Sequence, residues 1–173
     1  MNRLSTLLAR GTMALANAAT KLQTLQVRLL AREDKSGMEH LEGYGLTARA
    51  HPGAEVLAGF LGGDRSHGVV LVVADRRYRV TGLASGEVCL YDDIGHQVLL
   101  GRDGIVIKGG GHPVLITDTP TVRIEADIDA TGEIRDRCDS GGRTMADMRG
   151  TYNGHTHPEN DSGGPTDSPD QEM

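Results

Sequence analysis

The first residues place Leu4, Leu7, Leu8, Leu15, Ala18 and Ala19 at helical spacing. That spacing predicts an amphipathic helix over residues 3–20. The spacing extends through Leu22, Leu25 and Leu29, but Leu25-Gln26-Val27-Arg28-Leu29 also alternates cleanly behind a β-favouring Thr24. A strand over 22–31 is preferred to a longer heptad. From Tyr44 to Leu100 short apolar runs alternate with turn signals. Strands are expected at Leu46–Ala50, Glu55–Leu61, Gly68–Ala74, Tyr78–Val80, Val88–Tyr91 and Gln97–Leu100. Short strands at this regular spacing predict a small antiparallel barrel, of the OB or SH3-like kind.

Past Gly101 the pattern changes. Ile105 and Ile107 alternate, Gly109-Gly110-Gly111 interrupts, and Val114 and Ile116 alternate again. Beyond Thr119-Pro120, Val122, Ile124, Ala126, Ile128 and Ala130 face one way, while Arg123, Glu125, Asp127 and Asp129 face the other. A half-buried strand of this length spans roughly 30 Å. No aromatic residue lies between Asp103 and Ile134, and a lone meander of such strands is marginal in water. Either the segment packs back on the barrel, or three copies wind their apolar faces around a threefold axis. After Gly141-Gly142, residues 143–149 predict a helical turn or two. Tyr152-Asn153-Gly154 is a turn signal, and residues 159–173 are too polar to form a core.

Composition favours the second arrangement. The chain of 173 residues has no Trp, one Phe and four Tyr against 24 Gly. Aromatic side chains dominate ordinary cores, so part of this chain is expected to obtain its burial from other chains. The net charge of −6, with Lys and Arg well mixed in, argues against nucleic acid as the main partner. No apolar run approaches the roughly 20 residues of a membrane-spanning helix, and Met1–Ala19 makes a poor secretory signal. Cys89 and Cys138 are too few for a disulfide framework.

The chemistry concentrates in His155-Thr156-His157-Pro158. In extended backbone, residues i and i+2 point to one side, so both imidazoles can reach one metal ion; neutral imidazole suits Fe, Zn, Ni and Cu. Two ligands from one chain hold a metal poorly. On a threefold axis they become a closed six-nitrogen shell, which leaves no water to activate. A cupin, which also carries His-x-His, is excluded: Glu159 follows too closely, and no further strands are available to complete its barrel. His40, His51, His67, His96 and His112 are scattered in turns with no spacing that suggests a site. Ser66-His67 lacks a nucleophile elbow, Asp127 and Asp129 read as solvated strand charges, and Gly109-Gly110-Gly111 opens no helix and is no phosphate loop. No catalytic constellation emerges, so no enzyme is expected.

Helix, OB-like barrel, tapering prism and terminal His-x-His, in this order, resemble the central spike of contractile-tailed phages, the baseplate assembly protein V group. Four segments carry the resemblance: Gly62-Gly63-Asp64-Arg65-Ser66-His67-Gly68, Asp75-Arg76-Arg77-Tyr78-Arg79, Gly86-Glu87-Val88-Cys89-Leu90-Tyr91 and Tyr152-Asn153-Gly154-His155-Thr156-His157-Pro158. It implies a mainly β homotrimer divided into an N-terminal helix (1–20), an OB-fold-like barrel (21–100), an intertwined trimeric β-prism (101–140) and a metal-bound apex with a polar tail (141–173). It also implies a virion protein made in the bacterial host cytoplasm, docked on a baseplate hub protein and driven through the host outer membrane at genome ejection. The family's apex iron, one per trimer, carries over onto His155 and His157. Calcium and chloride can also lie on the axis; Asp136 and Asp139 are the residues considered for calcium. The alternatives are an OB-fold module binding a sugar or oligonucleotide on a trimeric stalk, or a receptor-binding tail adhesin. The first lacks a basic groove with interleaved aromatics, and the second usually carries a larger tip; direct glycan and oligonucleotide binding assays separate them from a passive spike.

Overall fold

The computed structural model describes residues 7–30, 33–158 and 163–173. It divides into two units, residues 1–115 and 116–173. In the first unit, strands β1 (Leu8–Asn17), β2 (Thr24–Leu29), β3 (Asp34–His40), β4 (Glu55–Phe60) and β5 (Gly68–Ala74) close a barrel in the order β1-β2-β3-β5-β4. All neighbours are antiparallel except β3 and β5. A closed barrel of five strands has the strand count of the OB-fold. Strands β6 (Val88–Tyr91), β7 (His96–Leu100) and β8 (Ile105–Gly109) form a separate antiparallel sheet.

The barrel interior follows strand alternation. Leu25, Val27 and Leu29 on β2 and Val56, Ala58 and Phe60 on β4 point inward, joined by Met13, Met38 and Val70. Phe60 fits because β5 begins with glycine: a Cβ on Gly68 would lie 2.7 Å from the Phe60 ring and 2.6 Å from Met38 Cε. Arg65 stacks on the same ring at 4.4 Å and pairs with Glu33. Hydrogen bonding to Arg65 holds the Glu33 carboxyl below the usual carboxylate range.

Where a helix was expected over residues 3–20, the chain forms a strand from Leu8 to Asn17. β1 pairs with β2 on one side and β4 on the other. Its register shifts between Met13 and Leu15, so Met13 and Ala16 are both buried though three residues apart. A bulge thus imitates the helical period. The strand expected at Leu46–Ala50 is a loop, because its backbone is satisfied by side chains. Glu42 accepts from the Ala48 N–H and the Thr47 hydroxyl, and Gln23 donates to the Ala48 carbonyl. Tyr78–Val80 is also strand-free, in a turn where Asp75 accepts from the Arg77 N–H and guanidinium. β3, with Gly37 at φ +68 and only Met38 buried, has no pattern that announces it. The barrel therefore occupies Leu8–Ala74, and the strands from Val88 onward lie outside it.

No strand lies between Gly109 and Ile134, so the runs expected at 114–116 and 122–130 pair with no strand among the described residues. Val122, Ile124 and Ile128 are each more than half exposed. All the buried apolar side chains among the described residues lie between Met13 and Val70.

Phe60→Ala is expected to remove about 3–5 kcal/mol of barrel stability, the usual cost of an emptied aromatic site. Tyr44→Ala, at a fully exposed position, should stay within about 0.5 kcal/mol of the parent. Thermal denaturation of the two variants side by side checks this; equal shifts would contradict the core described.

Candidate metal centre

In the second unit a tight loop prepares a helix that delivers the histidine pair. Asp136 accepts from the Arg143 N–H at 3.0 Å, and the Ser140 and Gly142 N–H groups donate to the Arg137 carbonyl. Arg137 and Gly141 have positive φ, and a Cβ on Gly142 would lie 1.7 Å from the Asp136 carbonyl oxygen. Only glycine fits there, which explains Gly141-Gly142. Helix α1 (Met145–Gly154) then starts with a reciprocal cap. Thr144 Oγ1 accepts from the Asp147 N–H at 3.0 Å, and Asp147 Oδ2 accepts from the Thr144 N–H at 3.1 Å. Those hydrogen bonds from Thr144 hold the Asp147 carboxyl below its ordinary range. The helix runs through Tyr152-Asn153-Gly154, where a turn was expected.

No residue of α1 is buried. Met145, Met148 and Tyr152, spaced three and four apart, form an apolar stripe left uncovered in this chain. His155 continues that spacing. A cavity of about 410 Å³ is lined by Arg143, Met148, Thr151, Tyr152 and His155.

Past Gly154 the backbone extends, with His155 at φ −75, ψ 145. The His155 and His157 rings lie 5.0 Å apart, centroid to centroid, at 85°. His155 Nδ1 sits 2.5 Å from the Tyr152 carbonyl oxygen. A carbonyl only accepts, so Nδ1 carries the proton and Nε2 keeps its lone pair, the arrangement usual for metal-ligating histidines. His157 is held by its backbone: its N–H donates to Thr166 Oγ1 and its carbonyl accepts from the Thr166 N–H, both at 2.9 Å. The Met173 N–H donates to Asn153 Oδ1 at 2.9 Å. The described part of the polar tail thus returns to the end of α1. Thr166 is a supporting residue the sequence pattern did not single out, and Asn153 was read there only as part of a turn.

The donor set therefore fits a transition metal, but within one chain it stops at two nitrogens: no group of three metal-ligating side chains occurs among the described residues. Asp136 is committed to the Arg143 amide. Asp139 lies in the short turn Cys138–Ser140 and is not drawn into a cluster with it. Cys89 and Cys138 are free.

The closed small barrel, the separate three-stranded sheet and the terminal imidazole pair define a mainly β protein. Comparison gives its family. Residues 10–77 match the family described as Bacteriophage Mu Gp45, N-terminal. The chain is 35% identical over 135 residues to the Baseplate puncturing device gp45 of Escherichia phage Mu, covering 75% of this chain and 68% of that protein. It is 34% identical over 116 residues to the Mu-like prophage FluMu protein gp45 of Haemophilus influenzae, covering 67% of this chain and 63% of that protein. The chain belongs to the Mu gp45 family.

The lowered carboxyl of Asp147 fixes the sign of a pH effect. Its stabilisation of α1 is complete above the unfolded-state value of about 3.9 and is lost as pH falls through the lower folded value. Asp147→Ala should therefore lose helix content and stability at pH 7. The deficit should shrink as the parent is acidified below about pH 4. Circular dichroism across that range checks it; a deficit that grows on acidification would contradict the cap.

Proposed function

We propose that the chain is the central spike of a contractile tail baseplate, a structural and non-enzymatic homotrimer that docks on the baseplate hub and punctures the host outer membrane. The observation that carries this reading is that no apolar side chain after Val70 is buried among the described residues. Three copies supply what one lacks. Val122, Ile124 and Ile128 would meet around the axis, and the open edges of β6 and β8 would be covered. The stripe of Met145, Met148 and Tyr152 would close on its counterparts. The name of the phage Mu relative supports the puncturing role.

His155 and His157 from each chain then give six imidazoles at the tip, which would hold one iron ion per trimer. The ion's chemistry there is structural: it cross-links three chain ends where fraying would begin. Calcium near Asp136 and Asp139, and chloride on the axis, belong to the same reading with weaker support, since neither carboxylate is grouped with other ligands.

Sedimentation with metal analysis tests the proposal. A trimer with one iron per three chains is expected, and His155→Ala with His157→Ala should abolish the iron while leaving a trimer with a less stable tip. A monomeric parent, or unchanged iron in the double variant, would sink it. Ile124→Asp with Ile128→Asp should yield monomers whose barrel still melts cooperatively; a trimer surviving both charges would contradict the axial packing.

A further inference from the structure

Gly109-Gly110-Gly111 has a use that its sequence context hid. A Cβ on Gly109 would lie 2.3 Å from the His112 carbonyl oxygen, and one on Gly110 would lie 2.8 Å from that of Ile94. Gly110 also has φ +57. The bare backbone lets the chain leaving β8 lie against the turn between β6 and β7. His112 is thereby brought to His96, with ring centroids 5.4 Å apart and planes at 59°.

His96 is held in place by Asp92. Asp92 Oδ1 accepts from the His96 N–H at 2.9 Å and the Ile94 N–H at 3.1 Å, while Oδ2 lies 2.5 Å from His96 Nδ1. With Asp92 Oδ2 facing Nδ1, Nδ1 is the donor and Nε2 is the nitrogen that faces away from the carboxylate. A carboxylate behind one imidazole and a second imidazole beside it is the supporting pattern of histidine metal sites. Neighbouring charges are balanced: Lys108 lines the adjacent groove with Asp92, and Asp93 is engaged by His51 at 2.9 Å.

We propose that His96 and His112 form a second metal site, one per chain, binding a divalent transition ion such as Ni²⁺, Zn²⁺ or Cu²⁺ through two imidazole nitrogens, with Asp92 as the positioning residue. Neutral imidazole favours these ions over Mg²⁺ or Ca²⁺. The ion would staple the β6–β7 turn to the segment after β8, the place where hydrogen-bonded sheet gives way to unpaired chain. The site needs no second copy and is independent of the terminal pair.

The test uses the full chain with His155→Ala and His157→Ala, so that the terminal histidines contribute nothing, titrated with Ni²⁺ by calorimetry. One ion per chain with sub-millimolar affinity is expected, with a Ni²⁺-dependent rise in Tm. His112→Ala and His96→Ala should each weaken binding more than about tenfold and abolish the rise, and Asp92→Asn should weaken it about 10- to 100-fold at unchanged stoichiometry. Substoichiometric Cu²⁺ should broaden the imidazole resonances of His96 and His112 before those of other histidines. Parent binding weaker than about millimolar, or a His112→Ala effect below about tenfold, overturns the site. An unchanged Asp92→Asn overturns the positioning role alone.

Discussion

Burial is the constraint on which the rest of this structure depends. Among the described residues, eleven apolar side chains are buried in the core of the barrel, the last of them Val70. From Val88 onward, valines and isoleucines continue at strand spacing, yet none is buried among the described residues. Each such side chain is worth roughly 1.5–3 kcal/mol when removed from water. That exposure is what supports the proposed trimer. In it, the small side chains that make a monomer's core thin would permit three chains to approach one axis closely, and the alternating charges at Arg123, Glu125, Asp127 and Asp129 would keep the outer face solvated.

Within that scheme glycine sets the close approaches. Gly68 leaves room for Phe60 and Met38 in the barrel, and Gly142 lets the 136–143 loop close on Asp136. Gly110 lets the chain past β8 reach the Ile94 carbonyl. Each is a position where a single methyl group would collide with backbone or ring atoms. The polar side chains do the complementary work. Glu42, Asp75, Asp92 and Asp136 all accept from backbone N–H groups in loops, those of Ala48, Arg77, Ile94 and Arg143.

Much of the barrel was legible from alternation, because β2, β4 and β5 have one buried and one solvated face. β1 was not, since its bulge between Met13 and Leu15 turns a period of two into an apparent helical period. β3 was missed because Gly37 and a single buried methionine leave no alternation to read. Leu46–Ala50 looked like a strand because its residues are apolar or β-favouring; only the fold shows Glu42 and Gln23 taking its backbone groups. The closeness of His155 and His157 was legible because only Thr156 separates them. The pair of His96 and His112 was invisible for the opposite reason: sixteen positions separate them, and a glycine turn closes the gap.

The same contrast separates the two histidine pairs physically. His155 and His157 come from one extended segment, so their geometry depends on what holds that segment: the end of α1 through the Tyr152 carbonyl and the tail through Thr166. Neither support rests on a core. Two imidazoles on such a frame bind weakly unless other chains complete the shell, and a completed shell in turn fixes the frame, so metal and assembly stabilise one another. His96 instead opens β7 and His112 follows β8, where Asp92 and the glycines set their spacing within a single chain. The proposed terminal site would require assembly and would act as a lock on the finished trimer. The proposed site beside the sheet would not, and would form as soon as one chain folds.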